Sequence, residues 1–240
     1  DLKQMKPLRS EIQVVFQDPF GSLSPRLSVK EIIGEGLEIH KKDLTEKNRE
    51  KLIIDTLRKV ELDTTILNRY PHEFSGGQLQ RIGIARAIAL NPSLIIADEP
   101  VSALDVSIRA QIINLLLDLK ESMGISYLFI SHDMTIVRHF CDRVAVMYLG
   151  KIVEIADSTS LFNNPRHPYT EALLAAVPSI DLDSKKQNLK IKGDLPNAID
   201  IPKGCVFYSR CPIREKKCEQ SAPQLTGEYS LHQVACFLRE

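Results

Sequence analysis

Apolar positions recur along the chain with two different periods, and each period predicts a different element. Recurrence at helical spacing predicts helices at residues 29–40, 46–62, 75–90 and 106–123, with a shorter helix after Asp133. Short apolar runs bounded by turn residues predict buried strands at residues 11–16, 94–97, 126–130, 143–148 and 151–155. Because strands alternate with helices, the pattern predicts a parallel α/β sheet.

The character of the sequence changes after about Asp157. Beyond this point proline becomes more frequent, the helical patterns shorten, and four of the five cysteines appear. We therefore predict two domains, a larger one at residues 1–156 and a C-terminal extension at residues 157–240.

Charge and hydropathy argue against two classes of protein. Lys and Arg together number 31, as do Asp and Glu, so the formal net charge is zero, whereas a nucleic-acid-binding domain usually has a basic excess. No apolar run approaches the roughly 20 residues that span a bilayer, and the polar N-terminus does not resemble a signal peptide. We expect a cytosolic protein that binds no nucleic acid and reaches a membrane only through a partner.

Two carboxylates, Asp98 and Glu99, directly follow the apolar run at residues 94–97. The carboxyl end of a buried strand is where α/β sheets place their ligands. A phosphoryl-transfer site uses an Asp at this place to hold Mg²⁺ and a neighbouring carboxylate to orient the attacking water. An ordinary turn that caps the next helix would give the same pair, so the motif alone favours neither interpretation.

A second candidate site is the sequence Ser75-Gly76-Gly77-Gln78 at the start of a predicted helix. Two glycines let a ligand approach the backbone closely, and the free amides and the helix dipole favour a phosphate. Ser75 can cap the helix and also donate to an anion. A capped helix without a ligand is the alternative interpretation.

Three further polar residues lie where predicted strands or turns end. Asp105 closes the turn after the acidic pair, His132 follows the strand at residues 126–130, and Gln17 follows the first predicted strand. Each motif is weak to moderate alone, but their order along the chain is specific. Together they resemble the motifs of ATP-binding-cassette (ABC) ATPases, and the resemblance covers essentially the whole chain.

Longer stretches resemble one branch of that family, the ATPases of dipeptide and oligopeptide importers. These stretches are residues 17–26, 99–107 and 164–170, together with the cysteine-containing tail. The resemblance implies an α/β fold: a P-loop NTPase-like ABC ATPase core with a helical subdomain at about residues 20–74, followed by the small extension. It also implies an ATP-hydrolysing subunit that powers import of di- and oligopeptides.

The resemblance further assigns roles to the candidate residues. Four of them would act on the ATP of this chain's own site: Asp98 in positioning Mg²⁺, Glu99 as general base or water-orienting group, Gln17 in sensing Mg²⁺ and the γ-phosphate, and His132 in contacting the γ-phosphate. The others would act between subunits: Ser75, Gly76, Gly77 and Gln78 on the partner's ATP, and Asp105 at the dimer interface.

Partners and location follow from the same resemblance. Family members form head-to-tail dimers around two ATP molecules, and we expect the second ATPase to be a paralogue of this chain. Two membrane permease subunits and, indirectly, an extracytoplasmic peptide-binding protein would complete the importer. The chain would then be a peripheral subunit at the cytoplasmic face of the bacterial inner membrane, with ATP and Mg²⁺ as cofactors.

One family motif does not occur in these 240 residues: Gly-x-x-x-x-Gly-Lys-[Ser/Thr], the P-loop that cradles the β- and γ-phosphates. In the family this loop precedes the segment around Gln17, so we expect that the sequence lacks its N-terminal part. A degenerate subunit is the alternative, against which the intact Glu99 and His132 argue. On either account the chain alone should bind ATP poorly.

The tail cysteines are candidate metal ligands. Cys205, Cys211, Cys218 and Cys236 are separated by five, six and seventeen residues, without the Cys-x-x-Cys pair of structural zinc sites. Four thiolates can hold a [4Fe–4S] cluster at irregular spacing, and unliganded buried thiols are a further interpretation. Since similar tails in peptide-importer ATPases are associated with such a cluster, the resemblance favours [4Fe–4S] in a structural or regulatory role, with zinc second. We expect Cys141 to be a small core residue.

Other functions fit parts of the pattern. Nickel and glutathione importers use closely related ATPases, and substrate choice lies in other subunits. Soluble ABC ATPases of translation or DNA repair usually have tandem cassettes or a long coiled-coil insertion, and neither occurs in this sequence. A non-catalytic metal-binding or sensor fragment, in which only the tail acts, is the third alternative.

Overall fold

The computed structural model of the chain describes residues 2–176, 202–228 and 232–239. The chain divides into two compact units, residues 1–132 and residues 133–240. The predicted extension at residues 157–240 lies only partly within the described residues, and its boundary near Asp157 stays a prediction.

A three-stranded parallel sheet forms the centre of the first unit. Its strands, in the spatial order β1-β2-β3, are β1 (Ile12–Val15), β2 (Leu94–Asp98) and β3 (Ser126–Ile130). In register, Val15 lies beside Ala97, and Asp98 lies beside Ile130. The predicted parallel pairing is therefore confirmed for these strands, whose carboxyl ends meet at one edge.

The first unit also contains the predicted helices. Its described α-helices are α1 (Leu2–Glu11), α2 (Pro19–Ser22), α3 (Val29–His40), α4 (Glu46–Lys59), α5 (Gly76–Ile88) and α6 (Val106–Met123), and two 3₁₀ turns lie at Thr64–Ile66 and Pro71–Glu73. Helix α4 ends before the predicted Leu62, since Glu61 has a φ of 57° and this left-handed conformation stops a helix.

The sequence pattern does not predict α1 or α2. Helix α1 includes Pro7, and proline disfavours a helix interior because it lacks an N–H and its ring crowds the preceding turn. Helix α2 falls in a Gly/Ser/Pro stretch typical of a turn. It forms because the Asp18 carboxylate accepts from the Phe20 N–H at 2.9 Å and Pro19 takes the first helical position.

Helix α5 is the central helix of the first unit. It packs against α2, α3, α4 and α6, and its side chains Leu79, Ile82 and Ile84 are fully buried. The N-terminus of α5 is thereby fixed relative to the sheet, and this is the end at which the Ser-Gly-Gly-Gln motif lies.

The second unit is built on an antiparallel sheet. Its strands, in the order β4-β5-β7-β6, are β4 (Arg143–Tyr148), β5 (Lys151–Asp157), β6 (Thr226–Glu228) and β7 (His232–Val234). The parallel pairing predicted from the strand–helix alternation is wrong here. Leu149 and Gly150 both have positive φ, 44° and 73°, and form the two-residue turn of a β4–β5 hairpin.

The described α-helices of the second unit are α7 (Met134–Phe140), α8 (Ser158–Asn163), α9 (Pro168–Ala175) and α10 (Lys216–Gln220). Aromatic rings form the core of this unit. Phe207 is fully buried, and its ring centre lies 5.2 Å from that of Tyr148 and 5.6 Å from that of Tyr169. Cys205 and Cys218 belong to the same core. Cys141 packs against this core while half-buried.

A buried carboxylate, Glu154 of β5, connects three parts of the second unit. Its side chain is fully buried and accepts hydrogen bonds from the backbone N–H groups of Arg166 and His167 at 2.7 and 2.9 Å. The third partner is Nε2 of His232 on β7, at 2.6 Å. One carboxylate therefore holds the Asn-Pro-Arg-His-Pro-Tyr segment and the last strand against β5.

The neighbouring imidazole of His167 is also buried, and burial lowers its pKa to about 4. The charge of Glu154 acts in the opposite direction and raises this pKa, but by less. Its Nδ1 accepts from the Tyr169 N–H at 3.1 Å, which requires an unprotonated nitrogen. The folded chain thus disfavours a proton that the unfolded chain takes up at about pH 6.5.

We therefore expect His167 to make the folded chain less stable as the pH falls from about 6.5 to about 4. In this window the unfolded state binds one more proton than the folded state. The free energy of unfolding therefore falls by about 1.4 kcal/mol per pH unit and by about 3 kcal/mol in total. Urea unfolding of wild type and His167→Asn across this range measures the effect, because Asn keeps a capping acceptor but does not titrate. Equal pH slopes for the two proteins would contradict this account of His167.

Candidate active site

The two acidic residues lie where the sequence predicts them, at the carboxyl end of the parallel sheet. Asp98 is the last residue of β2, and the Glu99 N–H donates to the Ile130 carbonyl of β3 at 3.0 Å. This is the edge at which open α/β sheets bind ligands.

The backbone of Glu99 is in an uncommon conformation. Its φ is 43°, in the left-handed region that non-glycine residues rarely adopt. The N–H and the hydroxyl of Ser102 both donate to the Glu99 carbonyl, at 3.2 and 3.1 Å, and hold this turn. Such conformations persist where the surrounding structure enforces them, and they concentrate at functional sites.

Both carboxylate oxygens of Glu99 have side-chain partners. Gln17 donates through Nε2 to Oε2 at 2.9 Å, and Nδ1 of His132 lies 3.0 Å from Oε1. Since an ionised carboxylate only accepts hydrogen bonds, Nδ1 of His132 is the protonated nitrogen in this contact. The structure thus brings together all three predicted catalytic side chains, which come from distant parts of the sequence.

The cluster remains accessible to solvent. The His132 side chain is 74% exposed and that of Glu99 is 25% exposed. A carboxylate with a fixed orientation and an open side can accept a hydrogen bond from a water molecule and polarise it, and this is the chemistry of a general base in hydrolysis.

The segment that contains Gln17 is held by its own turn. The Asp18 carbonyl accepts from the Ser22 N–H at 3.1 Å, while the Asp18 carboxylate caps α2. A β-carbon on Gly21 would lie 2.7 Å from Oδ2 of Asp18, so a larger residue at this position would displace the capping carboxylate. Gln17 therefore lies on a tight and defined loop.

Ser75 and Gln78 form a capping box at the start of α5, as the predicted helix cap requires. The Ser75 hydroxyl accepts from the Gln78 N–H at 3.4 Å, and Oε1 of Gln78 accepts from the Ser75 N–H at 3.0 Å. The two side chains fix each other. Whether this helix end binds a phosphate stays a prediction.

The two glycines of the motif have different surroundings. A β-carbon on Gly76 would make an ordinary contact, 3.6 Å from Cδ2 of Leu104. A β-carbon on Gly77 would lie 2.6 Å from Cγ2 of Ile108 on α6, far closer than carbon atoms normally approach. Gly77 is thus required by the close packing of α5 on α6.

We expect Gly77→Ala to destabilise the chain by about 1–3 kcal/mol, because overpacking forces α5 and α6 apart. Gly76→Ala is the matched control, since it adds the same atom to the same helix end with room to accommodate it. Urea unfolding of both variants measures the difference. A Gly77→Ala variant as stable as Gly76→Ala would show that Ile108 does not impose the glycine.

Asp105 is the residue that precedes α6, and it is exposed. It makes no side-chain capping hydrogen bond to the helix, while its neighbour Val106 is 81% exposed. A capping residue whose carboxylate does not cap is available for another contact. The predicted interface role of Asp105 fits this exposure and stays a prediction.

The donor set for metals is limited within the described parts of the chain. No group of three or more His, Cys, Asp or Glu side chains there is arranged to hold a metal ion. Mg²⁺ in nucleotide sites is bound by one or two carboxylates together with phosphates and water, so Asp98 fits as a single protein ligand.

The four tail cysteines are free thiols in one neighbourhood. The Cys205 N–H donates to the Cys218 carbonyl at 2.7 Å, and Cys211, Cys218 and Cys236 are close enough to contribute to a raised pKa of the Cys205 thiol. Burial raises the pKa values of Cys205, Cys211 and Cys236. The donor type fits a thiolate-bound cluster, although the thiols, all within the described ranges, are not arranged as a metal site.

Comparison with known proteins assigns the chain to a family. The ABC transporter family model matches residues 1–102, and the model of the oligopeptide/dipeptide transporter C-terminal region matches residues 153–218. The oligopeptide transport ATP-binding protein AppF of Bacillus subtilis (strain 168) is 50% identical over 98% of this chain and 72% of its own length. The chain belongs to the ABC transporter ATP-binding proteins.

Two further matches agree with this family. The dipeptide transport ATP-binding protein DppF of Escherichia coli (strain K12) is 50% identical over 99% of this ABC protein and 70% of its own length. The ATP-binding cassette MJ0796, in a dimeric post-hydrolysis state bound to ADP and Pi, is 31% identical with a TM-score of 0.58, over 66% of this chain and 68% of that chain. The predicted family, the α/β ABC ATPase fold and the transport-coupled ATPase class are thereby confirmed.

Within the described ranges, no helix combines the length and the apolar character that crossing a bilayer requires.

Two residues that support the site of this ABC protein were not predicted from the sequence. Ile108 packs so closely against Gly77 that it leaves no room for a β-carbon there. Arg86 of α5 contacts the Gln17 segment. A charged residue between the buried Ala85 and Ala87 of α5 was a usable signal, because a charge among buried positions needs a specific partner.

Proposed function

We propose that this ABC protein is the ATP-hydrolysing subunit of an importer for di- and oligopeptides. The observation that supports catalysis most strongly is the Glu99 carboxylate held by Gln17 and His132 at the carboxyl edge of the sheet. The support for peptides is the match to the oligopeptide/dipeptide transporter C-terminal region and the 50% identity to AppF and DppF.

In the proposed mechanism Glu99 orients and deprotonates the attacking water. Gln17 and His132 hold the carboxylate in one orientation, so that little reorganisation is needed in the transition state. When bound, Mg²⁺ would neutralise charge developing on the phosphates, and Asp98 is the residue that would hold it. His132 is also exposed enough for its second ring nitrogen to contact a γ-phosphate oxygen while Nδ1 keeps the contact with Glu99.

We propose further that two such ATPases bind head to tail, with Ser75, Gly76, Gly77 and Gln78 at the partner's ATP. Free amides at the start of α5 and the dipole of this 13-residue helix favour a phosphate there. The exposed Asp105 and Val106 next to this helix end suit an interface between subunits. The cassette MJ0796 is a precedent for a dimer with bound nucleotide.

The partners proposed for the assembled importer are a paralogous ATPase, two membrane permease subunits and, indirectly, an extracytoplasmic peptide-binding protein. The chain would then lie at the cytoplasmic face of the inner membrane without entering it.

A transport assay tests this function. We call the full-length subunit this chain extended by the P-loop segment that we expect before residue 1. It is assembled with its permease subunits in vesicles, and ATP-driven uptake of labelled peptide is measured. We expect excess unlabelled peptide to compete and nickel or glutathione to leave uptake unchanged. Uptake of nickel or glutathione but not peptide would reassign the substrate. ATPase activity without any permease association would favour a soluble ABC ATPase.

We also propose that Cys205, Cys211, Cys218 and Cys236 hold a [4Fe–4S] cluster with a structural or regulatory role. The support is their common neighbourhood, where four free thiols interact electrostatically and Cys205 and Cys218 are joined through the backbone. Zinc is the second candidate, since thiolates bind it as well. Either metal would displace the protons of the thiols on binding.

Metal analysis after anaerobic purification tests the cluster. We expect about four iron atoms per chain and visible absorption in wild type, both lost in Cys205→Ser, which removes one of four ligands. Cys141→Ser is the matched control, because Cys141 is also a cysteine of the second unit without a disulfide but lies outside the proposed set. Colourless wild-type protein that contains zinc, or no metal, would overturn the proposal.

A further inference from the structure

Arg86 connects two elements of the first unit. One is helix α5, called here the signature helix because it begins with the Ser-Gly-Gly-Gln motif of residues 75–78, and the other is the segment that contains Gln17. It lies near the C-terminal end of α5, and its Nη1 donates to the Ser22 carbonyl at 2.6 Å. Its guanidinium carbon lies 5.8 Å from the centre of the Phe16 ring, within the range of a cation–π contact. Arg86 therefore contacts the Gln17 segment, residues 16–22, at both of its ends.

The surroundings of Arg86 suit a fixed contact rather than a solvated charge. The side chain is largely buried, and burial lowers the pKa of the guanidinium, with the charge of Glu35 on α3 opposing this effect. A buried cation needs partners to offset lost hydration. The Ser22 carbonyl, the Phe16 ring and Glu35 provide them.

A second contact joins the same two elements at the other end of α5. A β-carbon on Gly76 would lie 3.9 Å from Cε2 of Phe20, so the Phe20 ring packs beside the start of this helix. Two contacts at opposite ends of α5 leave little freedom for the Gln17 segment to move independently of the helix. The Gln17 side chain itself donates to Glu99.

We propose that Arg86 is a positioning residue that makes the Gln17 segment move together with the signature helix. A displacement of α5, such as that expected when its N-terminus engages the partner's ATP, then changes the contact between Gln17 and Glu99. The proposal rests on the ATPase role described above and adds the residue that connects α5 to the Gln17 segment. Arg86 itself touches neither nucleotide nor Glu99.

Hydrogen exchange of the backbone amides tests the coupling without reference to the transported substrate. In the full-length ATPase pair, ATP is expected to slow exchange in residues 16–22 at least fivefold. In Arg86→Ala this slowing is lost, although α5 remains protected. Nucleotide-dependent protection of residues 16–22 that persists in Arg86→Ala would overturn the proposal.

ATP turnover gives a second readout. The ratio of turnover with permease subunits to turnover without them is expected to fall about tenfold in Arg86→Ala and less in Arg86→Lys, which can still donate to the Ser22 carbonyl. Arg81→Ala is the matched control, because Arg81 of the same helix donates to the Val60 carbonyl and to Glu61 instead. Arg81→Ala should lower stability yet keep the ratio within twofold.

A third variant, Phe16→Leu, covers the case that Arg86→Ala does not fold. It keeps an apolar side chain and the Ser22 hydrogen bond, so a two- to fourfold loss of the ratio is expected. An unchanged ratio in both Phe16→Leu and Arg86→Lys would show that Arg86 has only a structural role. Absence of permease stimulation in wild type would instead refute the proposed importer function, while the exchange measurement would still decide the role of Arg86.

Discussion

Replacing Glu99 with Gln in the full-length subunit is expected to lower ATP turnover by about a thousandfold, the range of a lost general base. ATP affinity should stay within about threefold of the wild-type value, because a Gln side chain keeps the shape of Glu and one acceptor oxygen. The loss of the carboxylate as a general base affects only the transition state. Titration with a fluorescent nucleotide measures the affinity. Turnover is measured in an ATPase pair whose partner carries Gln at its own corresponding glutamate, so that only the site of this chain can act.

Glu61→Gln is the control for this experiment. Glu61 lies in the same unit, pairs with Arg81 at 2.7 Å and is exposed, so its neutralisation should leave turnover within twofold. Wild-type turnover in Glu99→Gln would remove Glu99 from catalysis. Equal loss of ATP binding and turnover would instead assign Glu99 a role in the ground state.

Replacing Glu154 with Ala is expected to lower the free energy of unfolding by about 3–5 kcal/mol, as removal of one partner from a buried, hydrogen-bonded pair typically does. The truncation leaves two backbone N–H groups and the His232 imidazole without their acceptor in a dry site. Urea unfolding of the chain measures the change. Glu154→Gln, which keeps an acceptor, should lose less.

Glu171→Ala provides the comparison for Glu154. Glu171 forms an ion pair with Arg239 at 3.3 Å, and the Arg239 side chain is 45% exposed. Pairs of this kind contribute about 0–1 kcal/mol. Equal destabilisation by Glu154→Ala and Glu171→Ala would show that the buried carboxylate does not organise the second unit.

Most elements of the first unit, though not α1 and α2, follow from the local sequence pattern, and so does much of the site. The sequence predicts β2 and β3 from short apolar runs, and it predicts α3 to α6 from apolar residues at helical spacing. The spacing of apolar residues reports the element because the residues that face the core are the apolar ones. Motif order predicted which residues would converge, and Gln17, Glu99 and His132 do contact each other. Convergence of strand ends in a parallel sheet is the physical reason.

What the sequence pattern did not predict depends on contacts between distant positions. Glu154 gives no local signal, because its partners His167 and His232 lie 13 and 78 residues away. The antiparallel second sheet depends on positive φ at Leu149, a residue that normally avoids this conformation. Arg86 is recognisable in the sequence only as a charge between two alanines of a predicted helix, and the identity of its partners requires the folded chain.

Steady-state ATP hydrolysis tests the central claim most directly. It is measured for this 240-residue chain and for the full-length subunit, each without a partner ATPase. The account predicts hydrolysis by the full-length subunit only, and its loss in Glu99→Gln. Hydrolysis by the 240-residue chain unaided, or hydrolysis by the full-length subunit that does not depend on Glu99, would contradict the assigned site.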